Sequence, residues 1–132
     1  MVTPKSRGTR WEYRVAYRFE RWGYQWKRSG SSLGAYDLLI LRDGRPRFLV
    51  SCKKTMGDRL YVPLSEVEEL EREARGFGAK PLLCFGFRRT SPLVCEPGKL
   101  RRSGGESYRL ERGDGEPLDE WLERREGRCR RG

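Results

Sequence analysis

The feature that most restricts this chain is a pair of apolar runs, Ala35–Leu41 and Arg47–Lys54, joined by Arg42-Asp43-Gly44-Arg45-Pro46. Two strand-like runs meeting at an Asp-Gly turn are a strong short-range signature of a β-hairpin. Centring the turn near Gly44–Arg45 sets Asp37 opposite residues 51–53 in antiparallel register. Side chains alternate along a strand, so Leu49, Ser51 and Lys53 take one face and Phe48, Val50 and Cys52 the other. Asp37, Lys53 and Ser51 are therefore expected to converge at the open end of the hairpin.

Helical signals lie on both sides of it. Thr9 and Glu12 have the spacing of a capping box, which predicts a helix from Thr9 to about Trp22, stopped by Gly23 and preceded by a flexible basic arm over residues 1–8. Trp11, Val15, Phe19 and Trp22 form its apolar stripe, with Arg10, Arg14, Arg18 and Arg21 beside them. Tyr24–Arg28 reads as a short strand and residues 29–34 as a loop. Leu60–Val62 is a further short strand. A second capping box, Ser65 with Glu68, predicts a helix to about Phe77 that buries Val67, Leu70, Ala74 and Phe77. Pro81–Phe87 reads as an apolar strand with a partner at Pro92–Cys95. Residues 96–105 read as a loop, Ser107–Leu110 as an edge strand, and Pro117–Arg125 as a helix with Leu118, Trp121 and Leu122 inward. A basic tail closes the chain over 126–132.

With 132 residues there is room for one domain, 1–132, and the formal net charge of +10 favours polyanionic partners. The chain has no histidine, which excludes Ser-His-Asp triads, His-ligated zinc and His general bases. None of the four cysteines forms a C-x-x-C pair, so a zinc ribbon is unsupported; Cys52 and Cys84 read as core. No apolar run spans a membrane. The expectation is a soluble cytoplasmic protein, associated with the nucleoid, without a small-molecule substrate.

An aspartate and a lysine on adjacent strands suit a phosphodiesterase that uses a divalent cation, the carboxylate holding the ion and the lysine assisting the transition state. The same spacing also describes an ordinary cross-strand ion pair. Beyond the hairpin, several short motifs occur in order over about residues 5–87: Arg7-Gly8-x-x-x-Glu12, Lys27-Arg28-Ser29-Gly30-Ser31, Tyr36-Asp37-Leu38, Cys52-Lys53-x-Thr55, Leu60-Tyr61-Val62, Glu66-Val67-Glu68-Glu69-Leu70 and Phe77-Gly78-Ala79-x-Pro81. In this ordered set the chain resembles the archaeal Holliday-junction resolvases of the Hjc type, within the PD-(D/E)xK nuclease superfamily.

The resemblance implies an α/β, restriction-endonuclease-like αβββαβ core with a central mixed sheet flanked by helices. It implies a homodimer that binds a four-way DNA junction and nicks two opposed strands, with Mg²⁺ as cofactor and Mn²⁺ as a substitute. By the same resemblance Asp37 is a metal ligand, Lys53 the catalytic lysine, Glu12 a first-helix glutamate of the site, and Ser29 with Ser31 or Ser32 part of a catalytic loop. The Cys52 backbone carbonyl takes a further metal-ligand position. The implied DNA contacts are Lys5, Arg7, Arg10, Lys27, Arg28, Ser31, Lys54 and Arg59. Arg88, Arg89, Arg101, Arg102 and the terminal arginines are weaker candidates, and nothing in the sequence reads bases.

One position departs from the family. Two residues before the lysine it has a glutamate, and this chain has Ser51. A hydroxyl is a neutral, weak ligand, so the departure admits an alternative: a catalytically impaired relative that binds branched DNA without cutting. Some restriction enzymes of the superfamily carry Ser-x-Lys with a glutamate on the following helix in the missing role. Here Glu66, or Glu69 one turn on, has that spacing, although acidic residues also favour the first turn of any helix. Leu82, Phe85, Phe87 and Trp121 are expected at a dimer interface if exposed, and in the core otherwise.

Overall fold

The computed structural model describes residues 4–29, 35–102 and 105–127. Helix α1 spans Pro4–Arg21, followed by β1 (Gln25–Arg28), β2 (Leu38–Arg42), β3 (Arg45–Lys54), β4 (Leu60–Pro63) and α2 (Leu64–Phe77). Then come β5 (Lys80–Gly86), β6 (Leu93–Cys95), β7 (Arg101–Arg102), β8 (Ser107–Leu110), β9 (Glu116–Pro117) and α3 (Leu118–Glu126). A six-stranded mixed sheet has the order β1-β2-β3-β5-β6-β9, and β4-β8-β7 form a second sheet of three. β3 and β5 are parallel, joined through β4 and α2; the other pairs in the large sheet are antiparallel. This is the restriction-endonuclease-like α/β architecture expected from the sequence.

The hairpin is as anticipated. Asp43 and Gly44 both lie in the left-handed region, at φ 53° and 75°, which is the two-residue turn whose twist matches its strands. The ladder pairs Leu41 with Pro46 but Ile40 with Phe48, so Arg47 is an extra residue on β3, a bulge. Beyond it Leu38 pairs with Val50, and the Asp37 N–H donates to the Val50 carbonyl at 2.8 Å.

Alternation along β3 divides the core in two. Phe48 and Val50 join Trp11, Val15, Phe19 and Trp22 of α1 and Leu118, Trp121 and Leu122 of α3 on one face. Leu49 joins Val67, Leu70 and Ala74 of α2 with Val62 and Leu110 on the other. β3 is thus sandwiched between α1 and α2, and residues at its C-terminal end lie within reach of both.

Several expectations are corrected. Helix α1 begins at Pro4, whose fixed φ and missing N–H suit a first turn, so Thr9 and Glu12 lie inside the helix and form no capping box. Part of the expected arm, Pro4–Gly8, is therefore helical. Helix α2 begins at Leu64 with no side-chain cap. There β4 runs straight into the helix and the Glu106 carbonyl takes the Leu64 N–H at 2.9 Å, making a Ser65–Glu68 box unnecessary. Phe77, expected in the core, is 39% exposed at the end of α2, with its ring edge-on to Tyr36 at 5.8 Å. Leu82, Phe85, Phe87 and Trp121 are all buried, so none is free for a second copy. Cys84 and Cys95 are buried free thiols and Cys52 packs against the α1-side core. Among the described residues no helix is long and apolar enough to cross a membrane.

Candidate active site

Asp37 sits just before β2 begins, opposite Ser51. Its carboxylate Oδ2 accepts the Cys52 N–H at 2.7 Å, and its own carbonyl accepts the Ser29 N–H at 2.9 Å. The backbone of the first loop and that of β3 both fix it. Helix α1 brings Glu12 alongside, within hydrogen-bonding reach of Asp37. Burial pushes the Asp37 carboxyl up to about 6; the Glu12 carboxylate adds to this, while the Cys52 N–H and the Lys53 ammonium pull the other way. Glu12 is held by Arg28 of β1, whose Nε and Nη2 both lie 3.0 Å from Oε1. The Arg28 guanidinium also lies 5.1 Å from the centre of the Tyr13 ring.

Lys53 lies on the α2 face of β3, with its charge still acting on Asp37. Its ammonium donates to Glu66 in the first turn of α2 and forms an ion pair with it. Ser51 precedes Lys53 by two residues on the same face, 1% exposed, with its hydroxyl unpartnered among the described residues. The site therefore has two carboxylate–cation pairs, Glu12–Arg28 and Glu66–Lys53, and Asp37 lies between them.

The other sequence candidates fall as follows. Thr55 N–H bonds to β5 at the Gly86 carbonyl, 3.1 Å away, while Cys52 N–H turns the other way to Asp37. A strand residue's N–H and C=O leave on the same side, so the Cys52 carbonyl faces the start of β2 beside Asp37. Burial holds the Cys52 thiol well above its usual range, and it is not a thiolate ligand. Arg10, Lys27 and Lys54 are exposed; Lys54 lies over the Trp11 ring, 5.2 Å from its centre. Arg59 is paired with Glu111 at 3.3 Å. Arg28, expected to hold DNA, is exposed and pairs with Glu12. The backbone of Lys5 and Arg7 is in α1, but their side chains lie outside the described residues, as do Ser31 and Ser32 entirely.

Sequence reasoning missed the seat of Trp11. A Cβ on Gly86 would lie 2.3 Å from the Trp11 ring, so glycine there lets the indole rest on β5. A glycine inside the apolar run PLLCFGF was the available signal of such a close approach. It also missed the mutual packing of Tyr13, Tyr17 and Trp26, with ring centroids 5.6 to 5.9 Å apart on the outer surface of α1 and β1.

Among the described residues no three His, Cys, Asp or Glu side chains gather into a metal-holding group. Mg²⁺, however, is commonly held by one or two carboxylates, with water and substrate phosphate oxygens filling the rest. Asp37 and Glu12 with the Cys52 carbonyl fit that pattern, and burial beside the Glu12 carboxylate, which raises the Asp37 carboxyl, is a strain that a bound cation would relieve.

Two comparisons bear on this arrangement. A family model described as archaeal Holliday junction resolvase (Hjc) matches residues 3–129. The structure of Hjc from Archaeoglobus fulgidus, a Holliday junction resolvase from an archaeal hyperthermophile, superimposes with a TM-score of 0.77 at 22% sequence identity. That match covers 89% of this chain and 96% of the other. At this identity the likeness concerns the fold.

Proposed function

The chain belongs to the archaeal Holliday junction resolvase (Hjc) family, and from that premise we propose that it cuts four-way DNA junctions by paired nicks in opposed strands, using a site in which Glu66, beside the uncharged Ser51, steadies the catalytic Lys53. The family is one of metal-dependent nucleases that bind four-way junctions. The observation that carries the particular reading is the Lys53–Glu66 pair beside Ser51. A glutamate from the next helix has entered the space next to the lysine.

In this mechanism Asp37, Glu12 and the Cys52 carbonyl hold the cation. A bound Mg²⁺ or Mn²⁺ supplies Lewis-acid charge at the scissile phosphate and acidifies water. The protein's own groups do the remaining work. The Asp37 carboxyl is fixed by the Cys52 N–H, so it presents one oriented oxygen without side-chain reorganisation. The Lys53 ammonium, steadied by Glu66, offsets the negative charge that grows on phosphorus-bound oxygen as one P–O bond forms and the other breaks. Arg28 keeps Glu12 directed at Asp37. Ser29 ties the first loop to the same aspartate.

Exposed Arg10, Lys27 and Lys54 are proposed to meet DNA phosphates, together with Lys5, Arg7, Ser31 and Arg59. A second copy supplies the second nick. With Leu82, Phe85, Phe87 and Trp121 in the core, exposed Phe77 with Tyr36 is the aromatic surface proposed for that contact. The chromosomal DNA of the cytoplasm is its place of action.

The test is a cleavage and binding assay on a synthetic four-way junction with Mg²⁺, Mn²⁺ or EDTA. Metal-dependent paired nicks in the natural chain, absent from Asp37→Ala and Glu66→Ala, are the expected result. Tight binding without nicks, with cutting appearing only in Ser51→Glu, would instead identify a nuclease fold that binds branched DNA and no longer cuts it.

A further inference from the structure

β3 and β5 are parallel, and both end at the site: Lys53 pairs with Phe85 and Lys54 with Gly86. Ligands of such strands gather in the crevice outside their carboxyl ends. Beyond those ends the structure holds an open cavity of about 490 Å³, lined by Met56, Asp58, Arg88, Arg89 and Arg112. Met56 and Asp58 come from the loop after β3, and Arg88 and Arg89 from the turn after β5. Arg112 comes from the short helical turn after β8.

Three arginines and one aspartate line this cavity. Among the described residues none of the three makes an ion pair, whereas nearby Arg59 and Arg109 are both taken by Glu111. The turn that carries two of them is fixed. Thr90 Oγ1 accepts the Phe87 N–H at 2.9 Å and Thr90 N–H reaches the Phe87 carbonyl at 3.2 Å. Arg89 is held at φ 61°, a left-handed conformation that disfavours a long side chain. The Arg112 guanidinium lies 6.0 Å from the centre of the Phe87 ring at the base of that turn. Arginines gathered around a held turn suit a phosphodiester oxyanion, since guanidinium offers paired donors to phosphate.

We infer that the Arg88–Arg89–Arg112 pocket is a second phosphate-binding subsite, which grips a backbone phosphodiester of the DNA arm leaving the site past the ends of β3 and β5. It rests on the proposal that the chain acts on a DNA junction, and it adds an anchor outside the metal-binding carboxylates. Met56, 63% exposed at the rim, provides an apolar surface for the sugar edge. Asp58 opposes the anion and limits its affinity, which lets the arm be released.

The probe is a fluorescent immobile four-way junction, titrated in EDTA over a range of salt beside a linear duplex of the same length. The expected result for Arg112→Ala, and for Arg88→Ala with Arg89→Ala, is a loss of junction affinity of roughly five- to tenfold. The slope of log affinity against log salt should fall by about 1 for each phosphate released. Asp58→Asn should bind more tightly than the natural chain. Arg89→Gly separates binding from folding: glycine accepts the left-handed φ, so its melting temperature should hold or rise while its junction affinity falls. Wild-type affinity and salt slope in all the arginine variants would overturn the subsite. If the natural chain held duplex as tightly as junction while the arginine variants were still weakened, the junction proposal would fall and the subsite would stand.

Discussion

On the α1 side of β3, Glu12 is gripped by Arg28 and still crowds Asp37, whose carboxyl holds its proton up to about 6. On the α2 side, Glu66 lies directly against Lys53, and Ser51 brings no charge to the same face. Both halves use one glutamate and one cation, yet they leave different surpluses. Asp37 is an added carboxylate on the first side, so that half is short of positive charge. The second half is neutral within itself. In the proposed mechanism this contrast gives cation binding to the α1 half and transition-state neutralisation to the α2 half.

The sharpest way to break this division is to remove Asp37. Asp37→Ala should lower junction cutting by on the order of 10³-fold or more while junction affinity stays within about twofold, because cation chemistry and phosphate contacts are separable. Equal losses of cutting and binding would show that Asp37 shapes the DNA surface instead. Glu66→Gln tests the other half. Cutting at saturating Mg²⁺ should fall about 10²-fold, with little change in the Mg²⁺ concentration needed. A large rise in that concentration would move Glu66 into the cation's own coordination.

A third test reads stability. In chelator the native chain keeps a proton on Asp37 up to about 6, whereas an ordinary carboxyl loses it near 3.8. Between these values the native state binds more protons than the unfolded chain, so this group's stabilisation is complete below about 4 and is lost as pH rises through 6. Asp37→Asn should therefore melt higher than the natural chain at pH 7.5 and lose that advantage at pH 4, by at most about 3 kcal/mol. Saturating Mg²⁺ should shrink the difference at pH 7.5. The smallest effect belongs to Arg28→Lys. The pair with Glu12 is partly solvated, so stability should change by less than about 1 kcal/mol by denaturant titration. Loss of the two-nitrogen grip should nonetheless lower cutting several-fold.

Much of this was legible in the sequence because it depends on local chemistry. The Asp-Gly turn and the alternation of β3 located Asp37 across from residues 51–53 and separated Cys52 from Lys53. The stripes of α1 and α3 identified their buried faces correctly, down to Leu118, Trp121 and Leu122. What failed were helix starts. A Thr-x-x-Glu or Ser-x-x-Glu spacing is satisfied equally inside a helix, and here Pro4 and the Glu106 carbonyl decide where the helices begin. Glu12 was read two ways for that reason, and its placement mid-helix is what lets it reach Arg28. Long-range partners such as Arg59 with Glu111, or Trp11 over Gly86, depend on topology and have no short sequence signature.

The extra residue in the hairpin also sets which changes in length the chain can tolerate during evolution. Residues gained or lost at the Asp43–Gly44 tip leave both strands in phase, because the ladder beyond Arg47 is fixed by its own pairs. Loss of Arg47 itself would be absorbed in the same way: Pro46 and Phe48 would become neighbours opposite Leu41 and Ile40, and the pairing from Ile40–Phe48 to Leu38–Val50 would stay as it is. A lineage can therefore vary the hairpin's end, bulge included, while Asp37 keeps its place across from Ser51.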